Sequence, residues 1–160
     1  MKRFFVCFAF FMISLFFIGC GEKNETTMGL QWSKLSQNSM VWAQALMYCK
    51  TLDENGHNDW RLPNIDDLRT LIQNHSGTQT GGTCPISEKA GNLYWGESPD
   101  DCRGQDGNNF SKLNDNDWFW SSSVLAEDSK HAWGVNFDNG ALCQSGMNIG
   151  NAVRCVRNTE

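Results

Sequence analysis

The stretch Asp59-Trp60-Arg61-Leu62-Pro63-Asn64-Ile65-Asp66-Asp67-Leu68-Arg69-Thr70-Leu71-Ile72 decides how the chain is read. Trp60 and Leu62 alternate with Arg61, as in a half-buried strand. Pro63 disfavours helical geometry at the residue before it and keeps Leu62 extended. Asn64 suits an N-cap, where its side-chain oxygen accepts an orphan backbone N–H of the first turn. Asp67, three residues on, is placed to reach back to the cap, although Glu or Gln has the better length. Asp66 and Asp67 also complement the positive end of the helix dipole. Ile65, Leu68, Leu71 and Ile72 fall on one helical face, and Gly77 is a stop signal. The stretch therefore predicts a short strand running directly into a capped helix.

Upstream, Leu30-Gln31-Trp32 alternates and predicts the first strand. Ser39 suits a cap for a helix from Met40 to Leu52, whose core face carries Trp42, Ala45, Leu46, Cys49 and Leu52, with Gly56 closing it. Downstream, residues 76–116 are rich in Gly, Asn, Asp and Ser and show little periodicity. A loop of that length in a compact domain is functional or mobile. Trp118-Phe119-Trp120-Ser121-Ser122-Ser123 predicts a central strand, with Trp118 and Trp120 on one face and Phe119 on the other. Ala132 to Phe137 alternates again, and Asn139-Gly140 is a two-residue hairpin signal returning through Ala141-Leu142-Cys143. Gly146 to Gly150 gives a second turn into a last strand within Asn151 to Arg157. Helices early and short strands late predict an α+β fold.

Three features together resemble the Lcl C-terminal domain family: Asp59-Trp60-Arg61-Leu62-Pro63 before a capped helix, Tyr48 and Cys49 on the helix preceding it, and Trp120-Ser121-Ser122 on the central strand. The resemblance covers most of residues 29–160 and implies a C-type-lectin-like fold, two helices packed on short antiparallel strands with a long irregular loop. Some relatives are associated with attachment to polysaccharide, so the resemblance also implies recognition of carbohydrate or extracellular matrix. A structural envelope lipoprotein that binds another protein is the alternative.

Residues 1–19 read as a signal peptide: Lys2 and Arg3, an apolar run from Phe4 to Ile18 broken only by Ser14, then Gly19. The run falls short of the roughly 20 residues that cross a bilayer as a helix. Phe17-Ile18-Gly19-Cys20 resembles a bacterial lipobox with Phe17 where Leu is usual, which makes Cys20 the expected lipidation site and membrane anchor. Gly21 is not the Asp that retains lipoproteins at the inner membrane, so an outer-membrane lipoprotein is expected, with residues 20–28 as tether. The formal charge is −5, and a mature chain without Lys2 and Arg3 carries −7. That balance opposes nonspecific attraction to nucleic acid. It also opposes sulphated glycans unless Arg61, Arg69, Arg154 and Arg157 cluster.

Of the seven cysteines, Cys7 leaves with the leader and Cys20 takes lipid; Cys49, Cys84, Cys102, Cys143 and Cys155 remain. An exported chain keeps its disulfides, and an odd number leaves one thiol free or paired to another chain. A Cys49–Cys155 bridge resembles the long-range bridge of C-type-lectin-like domains and would join the first helix to the last strand. Cys84 and Cys102 bracket the irregular insertion and would staple it, leaving Cys143 over. No Cys-x-x-Cys pair occurs and His57, His75 and His131 are scattered, so a zinc site is not expected.

Asp100, Asp101, Asp106 and Asn108, followed by Asn109, Asn114, Asp115, Asn116 and Asp117, supply oxygen ligands densely. Calcium takes about six to eight such oxygens, which makes it the candidate cofactor and the first four the candidate metal ligands. The competing reading is a solvated Asn/Asp turn region. The Glu-Pro-Asn or Gln-Pro-Asp tripeptide of sugar-binding C-type lectins is absent, and Glu97-Ser98-Pro99-Asp100 is only a loose echo of it. Tyr94, Trp95, Asp115 and Asp117 are the candidate ligand-binding residues, with the aromatics either stacking on sugar or anchoring the loop. Formylglycine-generating enzymes have a related fold and use closely spaced cysteines; Cys143 and Cys155 are too far apart to match. With no nucleophile-elbow or phosphate-loop motif, an enzyme is not expected.

Overall fold

The computed structural model describes residues 29–87, 100–126 and 128–159. The leader, Cys20, the tether, Tyr94 and Trp95 lie outside the described residues. The elements in order are β1 (Leu30–Trp32), α1 (Trp42–Thr51), α2 (Ile65–Arg69), a 3-10 turn at Asp100–Cys102, β2 (Trp118–Val124), β3 (His131–Asn136), β4 (Ala141–Gly146) and β5 (Val156–Asn158). β1 pairs antiparallel with β5, which brings the two ends of the domain together; β2, β3 and β4 form an antiparallel meander in that order. The fold is α+β, as expected.

The three-stranded sheet separates two apolar cores. Phe119, Val135, Phe137 and Leu142 face α2 and pack with Ile65, Leu68, Leu71 and Ile72. Trp120 and Ala132 face the other way and pack with Ala45 and Cys49 of α1 and with Trp60, Leu62, Val153 and Cys155. Alternation along β2 thus places Phe119 and Trp120 in different cores, both buried, while Trp118 at the strand's start stays exposed. β3 approaches β2 closely because Gly134 has no side chain: a Cβ there would collide with the Phe119 carbonyl oxygen. The indole N–H groups of Trp42, Trp60 and Trp120 donate to the carbonyls of Ser121, His57 and Met40, so these large rings carry no unmet donor.

The cap of α2 forms as read. Asn64 Oδ1 accepts from the Asp67 backbone at 2.8 Å, and Asp67 Oδ2 accepts from the Asn64 backbone at 2.9 Å. The helix ends at Arg69, not near Gly77. Leu71 and Ile72 follow in i→i−3 turns. From there the backbone pairs with a distant segment: Gln73 N–H donates to Phe110, Lys112 N–H donates to Leu71, and Ile72 bridges Ser111. Those long-range bonds take the groups that further helix would have used. The expected strand before the helix contracts likewise to one bridge, Arg61 with Val156.

Four other boundaries shift for the same kind of reason. α1 starts at Trp42 without a side-chain cap, and Ser39 does not cap it. Met40 exchanges two backbone hydrogen bonds with Asn151, and the Trp42 N–H donates to the Met147 carbonyl, so a neighbouring turn satisfies the helix start. Gly56, at φ +76°, belongs to a separate turn between Glu54 and His57. The β3–β4 connection spans four residues, not two: Asn136 pairs with Ala141, and Gly140 takes the left-handed conformation at φ +74°. The longer loop lets Phe137 turn inward, where it meets Phe119 edge-on. The last strand is Val156–Asn158, shorter than expected; Asn151 and Ala152 make single bridges to Met40 and Phe119 instead.

Candidate functional site

Both expected disulfides are present: Cys49–Cys155 joins α1 to the C-terminal segment across 106 residues, and Cys84–Cys102 closes the insertion. Cys143 is free and half-buried on β4. Burial pushes its thiol up to about 12, against a smaller opposing contribution from a backbone hydrogen bond at Asn136. Such a thiol is a poor nucleophile near neutral pH.

Within the described part of the insertion, residues 78–86 are gathered around Arg69, the last residue of α2. Its guanidinium is buried and donates to the carbonyls of Thr78, Ile86 and Gln79 at 2.8, 2.6 and 3.1 Å. Burial lowers its pKa, and Asp66 opposes that shift. Thr78 Oγ1 donates to the Gly140 carbonyl at 2.6 Å, which ties the insertion to the β3–β4 hairpin. His75 is buried beside Phe110, with Nε2 at 2.8 Å from the Arg103 carbonyl and Nδ1 facing the Thr78 N–H. The stretch is therefore an anchored platform over much of its described length, with Ile86 and Phe110 in the interior.

A polar cleft of ≈ 280 Å³ opens on this platform, lined by Ile72, Gln73, Asn74, Gln79, Thr80 and Lys112. Gln73 Nε2 donates to Asn109 and Ser111, and Asn74 Nδ2 donates to the Asn109 carbonyl. Asn74 sits in the left-handed region at φ +58°, which Asn tolerates better than most residues. Lys112 Nζ donates to the Thr70 carbonyl at the end of α2, at 2.7 Å. Gln105 Nε2 donates to the Asn74 carbonyl at 2.7 Å. Of the lining residues only Ile72 was named from the sequence, as part of the α2 core face; the polar ones were not singled out as candidates. Their polar letters gave no period, and they converge only because Arg69 and the 110–112 pairing bend the chain back.

The residues that were singled out fare differently. Asp115 is turned inward and buried, its two carboxylate oxygens taking three contacts of 2.7–3.1 Å from Arg154. Asp117 is exposed, and its Oδ1 accepts from the Trp118 N–H. Asp100, Asp101, Asp106 and Asn108 are exposed, and Asp100 faces Arg103 at 3.3 Å. Among the described residues no three His, Cys, Asp or Glu side chains converge as a metal site. Among the described residues, Arg61, Arg69, Arg154 and Arg157 do not pool into a basic patch. Arg61 pairs with Asp67, Arg154 with Asp115 and Arg157 with Asp59, while Arg69 is buried among carbonyls. Arg157 also holds the Asp59 carboxyl below its ordinary range, chiefly through their hydrogen bond.

No curated protein matches the chain in sequence. The family profile of the Lcl C-terminal domain matches residues 23–157, most of the chain and every element described above except the last residue of β5. The chain belongs to the Lcl C-terminal domain family.

Proposed function

We propose that the protein is a lipid-anchored binding module of the bacterial cell envelope, recognising carbohydrate or extracellular matrix through its insertion. The observation that carries this reading is the cleft of amide, hydroxyl and ammonium groups, in a segment whose backbone carbonyls at Thr78, Gln79 and Ile86 are held by the buried Arg69. Ligand sites combine a concave surface with a few placed polar groups. The basic and apolar leader ending in Gly19-Cys20 supports export and lipidation at Cys20, and two disulfides fit an oxidising compartment. Paired chain ends and a bridge from the first helix to the last segment support a C-type-lectin-like architecture. The raised thiol of Cys143 argues against that residue as a nucleophile.

A glycan array probed with the full chain in detergent, once with calcium and once with chelator, tests the reading. Binding in either condition supports it, and a signal lost in chelator assigns calcium a part. Silence in both favours the alternative, a structural lipoprotein that binds another envelope protein. Fatty-acid labelling that survives Cys20→Ser would remove the proposed anchor.

A further inference from the structure

We propose that the cleft between residues 72–80 and Lys112 takes an uncharged saccharide, through hydrogen bonds to Gln79, Thr80 and Asn74, and discriminates against sulphated chains. This rests on the carbohydrate-binding reading above and deepens it. The lining offers neutral donors and acceptors: the Gln79 amide, the Thr80 hydroxyl, Asn74 Oδ1 and Gln73 Oε1 make no hydrogen bond among the described residues. Sugar hydroxyls both donate and accept, so a cluster of amides and a hydroxyl matches them without a net charge on either side. The single cation, Lys112, already donates to the Thr70 carbonyl.

The surroundings argue the same way. A sulphated glycan is held by several cations acting together, above all by forked guanidinium contacts. Arg61, Arg154 and Arg157 are each paired with a carboxylate, and Arg69 is sealed among carbonyls. Asp106, the residue after the Gln105 amide that holds the Asn74 carbonyl, is exposed and adds a negative charge to that loop. The cleft volume of ≈ 280 Å³ lies just below the usual range of ligand pockets, which begins at roughly 300 Å³. That size suits a single ring at the end or edge of a chain.

The test is retention of the full chain in detergent on immobilised neutral oligosaccharides (maltoheptaose, mannan fragments, chitotetraose) and on heparin, at low and at high salt. Gln79→Ala and Thr80→Val, at a half-buried and an exposed position, are compared after checking that their unfolding midpoints match the parent. The expected result is retention on at least one neutral saccharide, insensitive to salt, weakened about tenfold by each substitution, the scale of one lost hydrogen bond. Retention on heparin alone, falling steeply with salt, overturns the inference while sparing the carbohydrate reading. Retention on a neutral saccharide that neither substitution alters overturns the site. Retention on nothing overturns both.

Discussion

Asp115 shows what a letter conceals. In a run of Asn and Asp it reads as one more displayed carboxylate, yet its side chain is only 2% exposed and is gripped by Arg154, itself tied to the Ser33 carbonyl. No local pattern distinguishes it from Asp117, because its partner lies 39 residues away. The pair predicts an asymmetric cost. Arg154→Ala leaves a buried carboxylate alone and is expected to lower stability by about 3–5 kcal/mol, read from urea unfolding; replacing both residues by apolar ones of similar size is expected to cost far less. Asp59 has the opposite character, exposed and paired with Arg157. Its folded pKa is lowered, so the pair adds stability above the ordinary carboxylate range and loses it as pH falls through the folded value. Asp59→Asn should therefore shift the melting temperature at neutral pH and leave it unchanged in strong acid. Cys143 runs the other way. An acid whose pKa is raised by folding keeps its proton while the unfolded chain gives it up, so it erodes stability from the ordinary thiol value of 9.0 up to about 12. Cys143→Ala should flatten that alkaline decline, and alkylation of native protein near pH 8 should be slow until it is unfolded.

At the scale of elements, local chemistry and long-range pairing divide the outcome. The start of α2 was legible because Pro63, Asn64 and Asp67 act within a few residues of one another, and the reciprocal cap forms. Asn64→Ala should cost about 1 kcal/mol, measurable as a shift in the denaturant midpoint without change of slope. The end of α2 was not legible, because Ile72 and Gln73 are claimed by Ser111 and Phe110, nearly forty residues on. The four-residue hairpin was misjudged for a related reason. Asn139-Gly140 does mark the turn, but burial of Phe137 beside Phe119 sets the loop length. The insertion depends on its staple. Cys84→Ser with Cys102→Ser should cost about 3 kcal/mol in the chain-entropy account of an 18-residue separation. Proteolysis should then nick this segment first, while the sheet and α1 remain protected.

The whole molecule is a sheet with a core on each face, and the alternation of Phe119 and Trp120 already implied that both faces are covered. What covers them could be read in part: the face of α1 and the face of α2 were plain, but the return of residues 151–156 as scattered bridges beside β2, Met40 and Arg61 was not, since single bridges leave no periodic trace. The candidate cleft lay furthest from view, for it is made by tertiary folding of unpatterned polar residues around Arg69. The central claim is that two specific bridges, one joining α1 to the C-terminal segment and one closing the insertion, hold this arrangement and leave a single thiol over among the described residues. Non-reducing peptide mapping of the chain exported to an oxidising compartment tests it most directly. The account predicts cross-linked peptides containing Cys49 with Cys155 and Cys84 with Cys102, and Cys143 recovered as the alkylated thiol of the domain. Cys143 joined to any of those four, or Cys49 recovered alkylated from folded protein, would contradict it.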